Sequence, residues 1–250
     1  MYDFKIKLAD RVIAVSANYS STADFCKDYL ASDNESADFC VKISDADIKA
    51  EREKSYAEDD FEGKQRREFS DNYLETLALY RKIADAVADF DTILFHGSVI
   101  SVDGESYLFT AKSGTGKSTH TRLWRELLGN KAVMVNDDKP LIAVSLGGEV
   151  TVYGTPWCGK HGLGENMNSH LKAVCILERA ADNSIVKISI PEAYPMLIQQ
   201  TYRSSSPEKL IKILPILDRV LKNVSVYRLR CNMELDAAKL SYSVMSGNNV

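Results

Sequence analysis

One stretch constrains this chain more than any other: Leu108-Phe109-Thr110-Ala111-Lys112-Ser113-Gly114-Thr115-Gly116-Lys117-Ser118-Thr119. A short apolar run of strand character passes through a glycine-bearing loop into a helix-forming segment. The string is an A-x-x-x-x-G-K-S form of the P-loop motif, with Ala111 where the first glycine is usual. Gly114 and Gly116 let the backbone curl so that successive N–H groups point into one concavity that fits phosphate oxygens. The helix that follows adds its positive N-terminal end. Ser113, Gly114, Thr115, Gly116, Lys117, Ser118 and Thr119 are therefore candidate nucleotide-binding residues. Lys117 would reach the β- and γ-phosphates, and Ser118 would offer its hydroxyl to Mg²⁺.

A chance match is improbable on composition alone. A string of Ala or Gly, four residues, then Gly-Lys-Ser/Thr arises by accident about 0.02 times in a chain this long. A strand over Tyr107–Thr110 and a helix over Lys117–Leu128, closed by Gly129, supply the context the motif demands. Ala111 fits position one of the loop if its φ is negative.

Beyond the loop comes Val133-Met134-Val135-Asn136-Asp137-Asp138-Lys139. An apolar strand ending in carboxylates delivers them to the carboxyl edge of a sheet, where α/β proteins bind ligands. One Asp can hold Mg²⁺, and a second can take the proton from an attacking hydroxyl. The plain alternative is an exposed acidic turn, since Asn-Asp-Asp is ordinary turn composition.

Charge sorts along the chain in the same direction. The 250 residues carry 31 Lys+Arg against 35 Asp+Glu, a formal net of −4, so a chain-wide basic footprint for nucleic acid is missing. Residues 1–95 hold 13 basic and 21 acidic side chains, whereas residues 96–250 hold 18 and 14. The second segment is the better home for an anion. Five scattered cysteines form no C-x-x-C pair and suggest neither a disulfide framework nor a zinc site. With no signal peptide and no apolar run of membrane-spanning length, the expectation is a cytoplasmic protein without a membrane partner.

Tyr2–Leu8 and Val12–Val15 read as an early hairpin, Ser21–Leu30 as a helix and Phe39–Ile43 as a short strand. Residues 45–69 are densely charged with little apolar spacing, and are expected to be an exposed linker or weak helix at a domain boundary. Ser70–Phe90 is the clearest helix, with Tyr73, Leu74, Leu77, Ala78, Ile83, Ala84 and Val87 on one stripe. Short strands then alternate with helices near 191–202 and 207–222 and from Glu234, which means an α/β fold. The division expected is an N-terminal α+β segment, 1–91, and an ATP-binding catalytic domain, 92–250.

His96-Gly97, the loop and Asp137-Asp138, in this order, resemble the catalytic domain of HPr kinase/phosphorylase. The Ser-Gly-Thr-Gly-Lys-Ser string and the Asp pair are also similar to the nucleotide core of ATP-dependent phosphoenolpyruvate carboxykinase. The resemblance covers roughly residues 92–178. It implies an HPr kinase/phosphoenolpyruvate carboxykinase-like P-loop core that uses ATP and Mg²⁺ to phosphorylate a hydroxyl. In that scheme Lys117 holds phosphates, Ser118 and Asp138 serve the metal, Asp137 is the base and His96 lies near the transferred group. The two Asp roles are open to exchange. Two departures stand out. Residues 1–91 do not look like the regulatory domain of HPr kinase, and Tyr153–Gly162 replaces its later glycine-rich, metal-binding signature. The segment instead looks like that of small HPr-kinase-related bacterial proteins, some of which accompany peptide-modifying gene clusters. The acceptor is thus left as a hydroxyl of a peptide, protein or small molecule.

Several further residues admit two readings. Gly154–Gly162 holds Trp157, Lys160 and His161, and Lys160 is a candidate for the γ-phosphate, against a plain turn with Trp157 as a core plug. His96 is a proton relay or phosphate contact, or a structural histidine; His120, on the first turn after Lys117, either faces a ribose or base or, as expected, packs or is solvated. His170 has no assigned role. Cys158 is an activated thiol or an incidental small residue. Arg203 is a charge clamp or a solvated helix end. A nucleotide-binding regulatory module without transfer is the rival to a kinase. A carboxykinase is disfavoured by the short chain and the lack of an arginine set for a C4 acid. The oligomeric state is open, a homo-oligomer included.

Overall fold

In the computed structural model, which describes residues 1–248, the chain divides into two compact units, Met1–Val87 and Ala88–Val250. No helix among the described residues is long and apolar enough to cross a membrane.

The first unit opens with a hairpin of β1 (Tyr2–Leu8) and β2 (Arg11–Ala17). Its register runs from Tyr2 opposite Ala17 to Leu8 opposite Arg11. The two-residue turn places Ala9 and Asp10 at φ of 48° and 60°, which matches the twist of the strands at some cost to the alanine. After α1 (Ser20–Phe25) and a 3₁₀ turn, β3 (Phe39–Lys42) pairs parallel to β2.

Of the two readings of 45–69, exposed linker or weak helix, the structure shows the helix over most of the stretch, α2 (Asp45–Phe61). Apolar periodicity signals it only weakly because little of its surface is apolar: its buried positions are Ile48, Glu51 and Asp59. A capping box holds its start, with Ser44 Oγ accepting from Asp47 N and Asp47 Oδ2 from Ser44 N. Arg81 and Arg67 neutralise Glu51 and Asp59. The next helix, α3 (Asp71–Val87), buries Leu74, Ala78, Leu79, Ile83, Ala84 and Val87, while Tyr73, expected on that stripe, is 46% exposed.

The second unit is a mixed sheet covered by helices on both faces. Its elements are β4 (Thr92–Leu94), β5 (Ser98–Val102), β6 (Glu105–Thr110), α4 (Lys117–Leu128), β7 (Ala132–Asn136), β8 (Leu141–Val144), β9 (Val150–Tyr153) and β10 (Asn168–Arg179). They continue with β11 (Ser184–Lys187), α5 (Ile190–Gln200), α6 (Pro207–Asn223), β12 (Ser225–Cys231) and α7 (Leu235–Ser246). The strand order is β4-β8-β9-β10-β6-β5-β7, with β12 beside β10 and β11 beside β12. Only β10–β6 and β10–β12 run parallel in this sheet.

Neighbouring residues on the central strands point to opposite cores. Val99, Leu108 and Val135 pack with Leu197 of α5 and Ile216 and Val220 of α6. Ile100, Phe109 and Met134 pack with Trp124 of α4 and Tyr242 of α7. Strands buried on both faces read as continuous apolar runs, which is why β5 and β6 show little alternation. The arrangement brings the carboxyl ends of β6, β7 and β10 to one edge, where the site forms.

Candidate functional site

The loop after β6 turns through residues 111–116 and enters α4 at Lys117. Gly116 caps the helix at φ 124°, a conformation that a side chain would strain. Ala111 is not among the residues with positive φ, so its place in the turn needs no glycine. Arg179, at the end of β10, donates from Nε to Thr115 O at 3.1 Å and from Nη2 to Gly114 O. The parallel pairing of β10 with β6 puts this guanidinium beside the loop.

A cavity of about 490 Å³ opens at this loop. Its walls include His96, Ser113, Gly114, Gly116, Lys117, Ser118, Thr119, Asp137, Asp138 and Lys160, all singled out from sequence, together with Gly159 and His161. Thr115 does not line it and faces a neighbouring pocket. Arg203, Cys158, His120 and His170 are likewise absent from its walls.

The two carboxylates differ in setting. Asp137 is buried, and its Oδ1 accepts from Ser98 Oγ at 2.5 Å. Asp138 is about one-third exposed, with Oδ1 at 3.4 Å from both His96 Nε2 and Lys139 Nζ. Asn136 creates this turn: its Oδ1 accepts from Asp138 N at 2.8 Å and Lys139 N at 2.7 Å. Its Nδ2 donates to Thr155 O and Oγ1, both at 3.1 Å, tying the acidic turn to the 154–165 segment. That tie needs close backbone approach. A Cβ on Gly154 would sit 1.9 Å from Glu165 O and 2.9 Å from Val135 O.

His96 Nδ1 lies 2.9 Å from Gln200 Oε1. An amide oxygen only accepts, so Nδ1 carries the proton and Nε2 turns a lone pair toward Asp138. Burial, reinforced by the charges of Lys139 and Lys117, pushes the His96 pKa down to about 4. The ring is therefore neutral near pH 7. Lys117 is buried, and its nearest acceptor is Ala111 O at 3.5 Å, too far for a good hydrogen bond. Burial lowers its pKa, while Asp138 and Asp137 oppose that shift.

Other candidates are structural. Trp157 is 6% exposed, as a core plug would be. Cys158 donates to Thr155 O at 3.0 Å, and burial, helped by Asp137 and Asp138, pushes its pKa up to about 11. It is a thiol, not an activated thiolate. His120 is buried with Nε2 at 2.9 Å from Ser241 Oγ, and it borders the neighbouring pocket rather than this one.

The oxygens of Ser118, Asp137 and Asp138 are the hard donors that Mg²⁺ prefers. No group of three or more His, Cys, Asp or Glu residues that could cage a metal exists among the described residues. Magnesium usually takes only one or two carboxylates and completes its shell with water and phosphate oxygens, so this donor set fits it. Arg179, Gln200 and Asn136 were missed from sequence as site-shaping residues. Asn136 alone had a local signal, in the Asn-Asp-Asp turn.

No protein-family model matches the chain, and no curated protein matches it. Among solved structures, it is similar to the Hpr(Ser) kinase/phosphatase from Coxiella burnetii at 9% sequence identity. That match covers 62% of this chain and 95% of the other, with a TM-score of 0.33.

Proposed function

We propose that the Ala88–Val250 unit binds Mg·ATP and transfers the γ-phosphoryl group to a hydroxyl, on a P-loop core of the HPr kinase/phosphoenolpyruvate carboxykinase kind. One observation carries the reading: Lys117 and Ser118, the Asp137-Asp138 pair, His96 and Lys160 come from four separate stretches of chain to line one cavity. Phosphoryl transfer asks mainly for positioning and charge neutralisation, which this set can supply.

The N–H groups of residues 113, 114 and 116–119 and the ammonium groups of Lys117 and Lys160 would bind the phosphates. Magnesium, held through Ser118 and a carboxylate, would neutralise charge on the β- and γ-phosphates. Geometry favours Asp137 for the metal side, because Ser98 fixes it. Asp138 is better placed as the base, exposed to the cavity beside the free Nε2 of His96. The acceptor oxygen forms a bond to the γ-phosphorus, the bond to the ADP oxygen breaks, and the acceptor proton passes to Asp138. Two acceptors 3.4 Å apart can share that proton once it arrives. We assign the Met1–Val87 unit, which adds no residue to the cavity walls, to acceptor or partner recognition as a proposal of its own.

The test is incubation with γ-labelled ATP and serine-bearing peptides or small alcohols. Label moves to an acceptor with the native protein. With Asp138→Asn, ATP still binds but transfer falls by about 10²–10⁴-fold, the usual worth of a general base. Full transfer by Asp138→Asn overturns its assignment as base. Tight ATP binding with no transfer to any acceptor favours a regulatory module.

A further inference from the structure

A second cavity, of about 360 Å³, adjoins the first. Gly116 and Thr119 line both, so the two meet at the entrance to α4. Their linings differ in kind. The first is a cradle of cations, carboxylates and loop amides, whereas the second adds apolar walls from Leu123, Leu177, Cys231 and Met233 to polar groups that include His120, Glu178 and Arg179. The volume lies in the range of pockets that hold small ligands.

Two groups at this second cavity are incompletely used. Arg179 bonds the carbonyls of Gly114 and Thr115 but pairs with no carboxylate among the described residues, so its charge stays available at the wall. Met233 is 74% exposed, a large apolar side chain left uncovered at the cavity. A thioether and a guanidinium both pack well against a flat aromatic ring. A ligand suited to both cavities has a polyanionic end and an apolar, planar end.

We infer that the second cavity seats the base and sugar of the nucleotide, with Cys231 and Met233, just beyond the core of β12, forming the wall against the ring. This rests on the reading of the first cavity as a phosphate seat. Arg179 couples the two. It holds the carbonyls of residues 114 and 115, which fixes the loop on the side where the two cavities meet. Its guanidinium plane also borders the place of the base. The base pocket is therefore built largely from the C-terminal ends of β10 and β12, outside the glycine-lysine motif.

The experiment compares ATP with inorganic tripolyphosphate, which has the phosphates but no base, by calorimetry in the presence of magnesium. The full chain is used as wild type, Cys231→Phe and Met233→Ala. Wild type binds ATP about tenfold or more tighter than tripolyphosphate. Cys231→Phe fills the pocket and weakens ATP about tenfold, while tripolyphosphate changes less than about twofold. Met233→Ala, at an exposed position that folding does not depend on, weakens ATP by about twofold to fivefold with the same selectivity. The inference is overturned if neither variant alters ATP affinity, or if tripolyphosphate weakens in parallel with ATP. Failure of wild type to bind either probe overturns the phosphate reading itself. Tripolyphosphate bound as tightly as ATP by wild type overturns the base pocket alone.

Discussion

Both units bury charge, but they treat it differently. In Met1–Val87 the buried carboxylates of Glu75, Asp59 and Glu51 each meet a close partner. Glu75 accepts from Asn18 N at 2.6 Å, Tyr19 N at 3.1 Å and Thr22 Oγ1 at 2.5 Å, closing the start of α1. Asp59 takes Arg67 N at 2.8 Å and Nε at 2.9 Å, and Glu51 pairs with Arg81 at 2.6 Å. In Ala88–Val250 Ser98 fixes Asp137 at the cavity, but Asp138 and Lys117 are held loosely, with 3.4 Å between Asp138 and His96 and 3.5 Å from Lys117 to its nearest acceptor. A charge with its hydrogen bonds complete is part of the framework. One left with open valences in a cavity has been desolvated without full compensation, and a ligand can supply the rest.

The sharpest way to break this contrast is Lys117→Ala. If the ammonium serves a ligand, phosphotransfer falls by about 10³-fold or more while the unfolding free energy is held or rises slightly. Kinetics with γ-labelled ATP and a urea titration of the same protein read the two sides. A drop in stability without a loss of transfer would reverse the assignment.

Glu75→Ala probes the other unit and should do the opposite. It strands two backbone donors and a hydroxyl at a buried site, for a cost of about 3 kcal/mol. Nucleotide affinity of the folded protein should not change. Urea unfolding followed by circular dichroism measures the first, and calorimetry with ATP the second. Equal losses in both would show that Glu75 is not confined to a framework role.

The same distinction explains what the amino-acid string disclosed. The loop, Lys117–Leu128 and the acidic turn were legible because their signals are local: glycines, Gly-Lys-Ser, a terminal Gly129, and an apolar run before carboxylates. Helix α2 was legible only as one of two readings, a weak helix or a linker, since its stability comes from Ser44 capping and from arginines outside the helix rather than an apolar stripe. Arg179 lies 64 residues beyond Thr115 and reaches it only because β10 lies beside β6. Gln200, at the end of α5, meets His96 across 104 residues for a similar reason. Local spacing carries no record of sheet order, so partners delivered by the order -β10-β6-β5-β7 had no signature to find.

His120 gives the smallest expected effect and the finest test, because it belongs to neither class cleanly. It sits on α4, 2% exposed, with its ring edge-on to Phe109 at 4.8 Å. With Ser241 Oγ donating to Ala238 O at 3.1 Å and accepting from Trp124 Nε1 at 2.8 Å, His120 Nε2 is assigned as a second donor to Ser241. That leaves Nδ1 as an unprotonated acceptor, buried without a hydrogen-bond partner. Burial pushes its pKa down to about 4, from 6.5 in the unfolded chain. Below pH 6.5 the unfolded state therefore binds a proton that the folded state refuses. Stability falls as pH drops through this window, by up to about 3 kcal/mol, and the loss levels off near the folded pKa. Urea unfolding at a series of pH values from 7.5 to 4 reads this slope directly, and His120→Phe should remove its share. An unchanged slope in the variant would mean that the native ring protonates as readily as the unfolded one, and that the buried Nδ1 is compensated after all.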